Sequence, residues 1–212
     1  MRQPDVVSAA EAPPADALCR ICFNGAYEHD LGKLISPCLC TGEPQATPAL
    51  ARLNPSDVVV APIEFAAEGI TAPEGALREA AAMTLAEHRY APLSIAFVDG
   101  TLPPGGGAGV MEASYRPGTL GEDAVLRTVV HGWDTSDWRS KRWLEVDLEF
   151  VLESPSAAQG VLWTARCTRR FDLRTEVRLA VNEAGRQEAA CREIVKWTFS
   201  GLPDRTVRPE GR

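Results

Sequence analysis

The chain has 212 residues, a formal net charge of −7 and a sequence pI near 5.1. Its length suits one domain with a small appendage, and a hydrophobic content of 45% is enough for a core. The arginines are scattered among carboxylates, which argues against nucleic acid or an anionic membrane as the main partner. No run of about 18 apolar residues is present, so the sequence predicts no transmembrane segment.

Residues 1–17 are rich in Ala, Pro and Asp and are predicted to be disordered. They contain no apolar core of about 7–15 residues, so they do not form a secretory signal as written. The tripeptide Ala17-Leu18-Cys19 is similar to a lipoprotein cleavage box, yet the apolar segment that such a box requires is missing. The chain as written is therefore expected to be soluble and cytoplasmic, and periplasmic or membrane-anchored if its true start differs.

Four of the six cysteines lie in residues 18–42, where they form a C-x-x-C and a C-x-C pattern. The predicted metal ligands are Cys19, Cys22, Cys38 and Cys40. Cysteines at these spacings fit a metal site better than a disulfide framework, and structural zinc takes four tetrahedral ligands. We therefore expect one Zn²⁺ bound by the four thiolates. The alternative is a disordered segment with free thiols.

Residues 43–56 contain three prolines and are predicted to be a linker to a domain at residues 57–202. The domain opens with DVVVAPIEF, whose continuous β-branched run is typical of a buried strand. The segment ALREAAAMTLAEHR then places apolar side chains on one helix face, and APLSIAFVDG predicts a second strand. A strand, a helix and a strand within about 40 residues indicate a βαβ unit with parallel strands.

The Gly- and Pro-rich residues 101–121 are predicted to form a functional or mobile loop, because long loops without regular structure are uncommon in compact domains. Two strands follow, AVLRTVVHGWD and the cleanly alternating WLEVDLEFVLE, and the turn SPSAAQG leads into an antiparallel strand, VLWTARCTRRF. EVRLAV suits a sixth strand, and QEAACREIVKWTF favours a helix although its odd positions also suit a strand. Residues 203–212 are predicted to be a disordered tail.

Together these elements predict an α/β fold: a single mixed-sheet domain with a βαβ start, antiparallel C-terminal strands, and helices on one or both faces. Within residues 57–173, the order of DVVVAPIEF, ALREAAAMTLAEHRYAPLSIAFVDG, GEDAVLRTVVHGWD and LEVDLEFVLESPSAAQGVLW resembles a family of small bacterial lipoproteins. These are related in fold to the curli-secretion lipoproteins, the penicillin-binding-protein activators and the N-terminal domain of TolB. The resemblance implies a periplasmic or membrane-anchored module that assembles with other envelope proteins and has no catalytic residues.

The string LCRIC, followed by GKLISPCLCTG, resembles the first half of a RING-CH finger, the variant RING of membrane-associated ubiquitin ligases. The second half is missing, because Gln45 stands where that family has a histidine and only Cys167 and Cys191 remain. Each zinc of the cross-braced RING takes ligands from both halves, so the resemblance implies at most a single zinc knuckle. An active ubiquitin ligase is not expected, because the platform for the conjugating enzyme needs both sites folded.

Three tryptophans surround the turn between the two middle strands: Trp133, Trp138 and Trp143. They form either a partner-binding edge or a cap that shields the core. The string FVDGT, which contains Asp99, resembles the opening of an RNase H domain, but the further carboxylates that two-metal chemistry requires do not follow at suitable spacing. No Ser-His-Asp or Cys-His arrangement can be placed either.

The sequence therefore predicts a non-catalytic binding or assembly module that acts on protein partners, self-association among them, and not on nucleic acid. Its contacts are expected at a sheet edge, at the 101–121 loop or at the three tryptophans. The alternative is a zinc-binding, RING-CH-like adaptor, or a degenerate ubiquitin-ligase-like protein, whose working part is the cysteine segment.

Overall fold

The computed structural model describes residues 45–102, 115–172 and 183–207, together with the backbone of residues 29–30 and 33–34. The chain forms two compact units, Met1–Leu39 and Cys40–Arg212. In the smaller unit, strands β1 (His29–Asp30) and β2 (Lys33–Leu34) pair antiparallel, with His29 opposite Leu34. The other described elements belong to the larger unit.

The described part of the larger unit contains a seven-stranded sheet with the order β3-β9-β8-β7-β4-β6, and β5 lies beside β7. The strands are β3 (Gln45–Ala46), β4 (Asp57–Val60), β5 (Glu64–Phe65), β6 (Ala91–Pro92), β7 (Ala124–Asp134), β8 (Trp143–Glu153) and β9 (Val161–Asp172). The helices are α1 (Pro48–Leu53), α2 (Glu74–Glu87), α3 (Ile95–Gly100) and α4 (Glu183–Thr198), and a 3₁₀ turn (Phe199–Gly201) follows α4. β4 runs parallel to β6 and β7, whereas β7, β8 and β9 are antiparallel neighbours. The predicted α/β fold, with its βαβ start and antiparallel end, is confirmed.

The inner face of the sheet, which we define as the face covered by α2 and α4, carries the main core. The alternation of β8 places five buried apolar side chains on this face: Leu144, Val146, Leu148, Phe150 and Leu152. Phe150 and Trp163 each meet the ring of Phe199 edge-on, with centroids 5.0 and 5.1 Å apart. Full burial of one large apolar side chain contributes about 1.5–3 kcal/mol, so this layer supplies most of the stability.

The outer face, on the opposite side of the sheet, has a smaller apolar cluster over β4 and the start of β7. Its buried members are Val59, Ala61, Val98, Tyr115 and Val125, and Val98 comes from α3. Because Val58 and Val60 face the main core while Val59 faces this cluster, β4 is buried on both sides. That explains the unbroken valine run, which is typical of a strand covered on both faces.

The segment APLSIAFVDG differs from the predicted strand. Pairing with β4 ends at Pro92, and residues 95–100 form α3. Ile95, Val98 and Leu102 recur at the i, i+3, i+7 spacing of a helix face, and Val98 is buried in the outer cluster. The strand prediction was therefore wrong beyond Pro92, because the outer side of β4 needs an apolar cover that a short helix provides.

The structure also differs from the predicted linker at residues 43–56, which contributes both β3 and α1. β3 pairs with β9, and the Thr47 N–H donates to the Leu162 carbonyl at 2.9 Å. Leu50 of α1 is only 4% exposed and packs into the main core. Pro48 stands at the first turn of this helix, where a missing N–H costs nothing, so the proline that suggested a linker instead begins a helix.

Residues 203–207, the first half of the predicted disordered tail, are held by hydrogen bonds to other parts of the larger unit. The Tyr90 hydroxyl donates to the Pro203 carbonyl at 3.0 Å. The side-chain amide of Asn54 exchanges two hydrogen bonds with the backbone of Thr206, at 2.8 and 3.0 Å. The tail therefore has specific polar partners on two separate parts of the chain.

The predicted C-terminal helix is confirmed as α4, with Ile194 and Val195 buried in the core. The predicted sixth strand, residues 176–181, lies outside the described residues, as do positions 103–114 of the long loop. Among the helices that the structure describes, none is both long and apolar enough to cross a membrane.

Candidate functional site

The outer face of β7, β8 and β9 is lined by charged side chains, and we call it the polar face. Its members are Glu64 of β5, Arg127 and His131 of β7, Glu145, Asp147, Glu149 and Glu153 of β8, and Arg166 and Arg170 of β9. Along each strand they alternate with the residues of the inner face, because successive side chains of a strand point to opposite sides. With five carboxylates and three guanidiniums, the polar face is negative when His131 is neutral.

Arg127 is held in a bidentate pair with Glu64. Its Nε and Nη2 atoms donate to the two carboxylate oxygens at 2.8 and 2.7 Å, and Glu153 lies 4.0 Å from Nη1. The hydrogen bond to Glu64 raises the pKa of the Arg127 guanidinium and outweighs the opposing effect of burial. The pair therefore ties the two-residue strand β5 to β7 by side chains as well as by backbone.

Asp147 accepts three hydrogen bonds from β9. Nε and Nη2 of Arg166 each donate at 2.9 Å, and the Thr168 hydroxyl donates at 2.9 Å. These bonds, that from Arg166 above all, hold the pKa of the Asp147 carboxyl below its ordinary value. Asp147 is therefore an ionised group with a defined orientation at neutral pH.

His131 lies at an irregularity of β7, where the register to β8 shifts between Val130 and Gly132. A bulge of this kind changes the direction of the side chain it carries. Here the ring lies on the polar face, with Nε2 3.0 Å from a carboxylate oxygen of Glu149. The bulge thus places a contact between a histidine and a carboxylate beside the two arginine pairs.

The end of the polar face near the β7–β8 turn is aromatic and basic. Trp143 has the guanidinium carbon of Arg170 4.7 Å from its ring centre and the Nζ atom of Lys141 5.4 Å from it. Arg170 also pairs with Glu145. Each cation–π contact at an exposed site is worth about 0.5–1 kcal/mol, so the ring is held in place by its neighbours.

The polar face is a preformed pattern of charges of both signs. Exposed ion pairs contribute only about 0–1 kcal/mol each to stability, so the pairs do little to hold the fold together. Charges at defined positions do determine which surfaces can approach, because like charges repel and opposite charges select a register. The arrangement therefore suits recognition of a charged protein surface.

The structure separates the three tryptophans predicted to form a partner-binding edge. Trp138 is only 5% exposed and belongs to the main core, and Trp133 packs against that core from the inner face. Trp143 lies on the polar face. A role in partner binding stays a prediction, and Trp143 is the member of the three that is placed among the charged pairs.

The predicted zinc ligands Cys19, Cys22, Cys38 and Cys40 lie outside the described residues. The zinc site and the half RING-CH resemblance therefore stay predictions. Within the described residues, no group of three or more His, Cys, Asp or Glu side chains is placed to hold a metal ion. The other two cysteines are buried in the core, and burial raises the pKa of the Cys191 thiol to about 12.

The described end of the 101–121 loop is held by Glu122. This buried carboxylate accepts the backbone N–H groups of Gly118 and Leu120 at 2.5 and 3.0 Å. Burial, with Glu122 nearby, raises the pKa of Tyr115 to about 12. Asp99, the carboxylate of the RNase H-like string, lies on α3 and not at the end of a strand.

Sequence reasoning found the acidic side of β8 but not its partners. The alternation of WLEVDLEFVLE shows which residues share a face, whereas the pairing of Asp147 with Arg166 depends on the register between β8 and β9. A signal was present, because Arg166, Thr168 and Arg170 follow the same two-residue period in the next strand.

Fold and surface define the class of protein: a small α/β domain with a mixed sheet, helices packed on the inner face, and a charged outer face. A solved PelC dodecamer from Paraburkholderia phytofirmans has this fold, with a TM-score of 0.51 and 18% identity over 79% of this chain and 100% of that chain. A second PelC dodecamer from that organism gives a TM-score of 0.46 and 18% identity over 77% and 97% of the two chains. Lipoprotein GNA1162 from Neisseria meningitidis gives 0.43 and 21% identity over 61% and 89%.

No protein-family model matches the chain, and no curated protein is significantly similar to it. At 18% identity the likeness to PelC concerns the fold. The likeness agrees with the α/β fold predicted from the sequence.

Proposed function

We propose that this chain is a non-catalytic subunit of a homo-oligomeric assembly associated with a bacterial envelope. The observation that carries the proposal is the fold shared with the PelC dodecamer, which extends over the whole of that chain. A fold alone permits many functions, so the surface must supply the rest of the argument.

The polar face supports self-association, because it carries rows of opposite charge side by side. The acidic row is Glu145, Asp147, Glu149 and Glu153 of β8, and basic groups lie beside it on β7 and β9. Rows on adjacent strands lie about 4.8 Å apart, so a second copy displaced by one strand brings acids opposite arginines. Two copies of one chain can therefore be complementary through this face, as an isologous two-fold contact requires.

The experiment is a measurement of molar mass in solution by light scattering, with the full chain at several protein concentrations. We expect a discrete oligomer that weakens at high salt, because exposed charges are screened over about 8–10 Å at physiological ionic strength. A monomer at every concentration and at low salt would contradict the proposal.

A matched pair of charge reversals locates the contact. Glu149→Arg reverses a charge in the middle of the polar face, and Glu79→Arg makes the same change on the exposed side of α2. We expect the first variant to lose the oligomer and the second to keep it, with both retaining the parent's circular dichroism. If both variants keep the oligomer, the polar face is not part of the interface, and the proposal of an assembly is unaffected.

A zinc knuckle at residues 18–42 is a separate proposal, supported by the C-x-x-C and C-x-C spacing. It corresponds to the alternative function, a zinc-binding RING-CH-like adaptor. Elemental analysis of protein purified without chelator should give one zinc per chain, lost in Cys19→Ser/Cys22→Ser and retained in Cys191→Ala, whose thiol lies in the core. Zinc absent from the parent chain would end this proposal and leave the assembly proposal unaffected.

A further inference from the structure

A buried arginine lies at the carboxyl end of β4. This strand has β6 on one side and β7 on the other, both parallel to it, with α2 over the inner face and α3 over the outer face. The chain therefore leaves β4 for a neighbour on one side and later returns on the opposite side, which makes this end a topological switch point. In open α/β sheets, ligands bind outside the carboxyl ends of the strands at such points.

Arg78 of α2 occupies this position. It is 7% exposed and is, among the described side chains, the one arginine or lysine that is buried. Nη2 donates to the carbonyl of Val60, the last residue of β4, at 3.0 Å. Nη1 lies 2.8 and 3.0 Å from the two carboxylate oxygens of Asp99 on α3. The guanidinium thus connects the helices that cover opposite faces of the sheet.

The hydrogen-bonding capacity of Arg78 is not used up. A guanidinium carries five N–H donors, and the buried Nε of Arg78 has no hydrogen-bond partner within the described part of the chain. The two members of this ion pair also differ in burial, because the Asp99 side chain is 45% exposed and that of Arg78 is 9% exposed. A buried cation requires an anion, and here the anion stands half in solvent, where another can exchange with it.

We propose that Arg78 is an anion-binding site for the carboxylate or phosphate group of a small-molecule ligand, and that Asp99 is the competing group built into the chain. An oxygen of the ligand replaces the Asp99 carboxylate at Nη1. The unpartnered Nε–H lies on the Nη2 side of the guanidinium, so it leaves the charge of Arg78 incompletely satisfied but is not a second donor to the same oxyanion. The displaced Asp99 turns to the solvent. This site is separate from the polar face and does not depend on self-association.

Asp99→Asn tests the proposal, because it removes the competing charge and keeps the size of the side chain. We expect this variant to bind inorganic phosphate about tenfold more tightly than the parent chain, since Arg78 has then lost its counter-charge. Binding is followed by NMR through the Arg78 Nε–H signal and the Val60 amide, with sodium chloride at equal ionic strength as the reference. Acetate in a parallel titration tests the carboxylate. Equal affinity in the variant and the parent would overturn the proposal.

Two further variants test whether the NMR response to phosphate arises at Arg78. Arg78→Met/Asp99→Asn removes both charges and should not respond to phosphate, whereas Glu145→Gln releases the exposed Arg170 and should behave as the parent does. A response retained in the double variant would put the anion elsewhere and also overturn the proposal.

Asp99→Asn leaves a buried cation without its partner, so its folding needs a separate readout. If the variant is unfolded in low-salt buffer, we expect phosphate to restore its near-ultraviolet circular dichroism, and chloride at equal ionic strength to fail. Failure of phosphate to restore the fold counts against an anion site at Arg78 as directly as equal affinity does.

Discussion

Strand β8 separates two surfaces of opposite character, although the same eleven residues form both. On the inner face its apolar side chains are buried beneath α2 and α4. On the outer face its carboxylates pair with arginines and a histidine of the neighbouring strands. The inner face depends on area removed from water, and the outer face depends on specific partners that contribute little to stability. The comparison shows that one side of the strand supplies most of the buried apolar surface, and the proposed recognition surface is on the other side.

The strongest test of this comparison changes two adjacent residues. Phe150→Ala removes a ring from the inner face and its edge-on contact with Phe199, and we expect it to lower the free energy of unfolding by about 3–5 kcal/mol. Val151→Ala, the next residue on the outer face, should cost less than about 1 kcal/mol because its side chain is only half buried. Both values come from denaturant unfolding, and similar costs for the two variants would contradict the division into two faces.

A second change tests how far the inner layer extends toward the N-terminus. Leu50→Ala in α1 removes a side chain that is 4% exposed in the main core, so we expect a loss of about 2–3 kcal/mol in the free energy of unfolding. Ala51→Gly, at an exposed position of the same helix, is the control and should cost about 1 kcal/mol. If Leu50→Ala costs no more than this control, residues 48–53 act as the predicted linker and not as part of the core.

The ion pairs of the outer face are expected to make the free energy of unfolding depend on pH. The folded-state pKa of Asp147 lies below its ordinary value of 3.8, so its stabilising contribution is fully present above about pH 4 and is lost as the pH falls through the lower folded value. Asp147→Asn should therefore lower the free energy of unfolding slightly at neutral pH and flatten its decline in acid. Glu79→Gln on α2 serves as the control. An unchanged acid profile in Asp147→Asn would show that the pair with Arg166 does not persist in solution.

The smallest expected effect is spectroscopic and compares the two apolar clusters. Tyr90 lies in the main core and Tyr115 in the outer cluster, and burial raises the pKa of each to about 12. Both phenols should ionise well above the ordinary value of 10.0 in an ultraviolet titration. Tyr90→Phe and Tyr115→Phe should each remove one late step. Ionisation of Tyr115 near its ordinary pKa would mean that the outer cluster is open to water.

Much of the fold could be predicted because its elements have simple periods. The two-residue period of β8 and the valine run of β4 each indicate how many faces of the strand are buried. α3 was missed because Phe97 and neighbouring apolar residues also suit a strand, and the choice depends on the need to cover Val59. α1 was missed because three prolines outweighed a single apolar anchor, Leu50.

The candidate sites were harder to predict, because they depend on contacts between distant residues. Asp147 meets Arg166 through the register of two strands, and Arg78 meets Asp99 because α2 and α3 approach the same end of β4. An arginine inside a helix pattern gives no local sign that it is buried, since most arginines lie at the surface. The spacing of apolar residues in the sequence indicates which face of an element is buried. The ion pairs between different elements can be identified only once the topology is known.

The docked tail has a consequence for the order in which the protein is made. Asn54 caps α1 and also binds the backbone of Thr206, which is 152 positions later in the chain. At about 5–20 residues per second, a ribosome needs about 8–30 s to synthesise the chain between them. The N-terminal helix must therefore remain without this partner while the whole sheet is synthesised. This contact can therefore form only after the strands and helices between Asn54 and Thr206 have been synthesised.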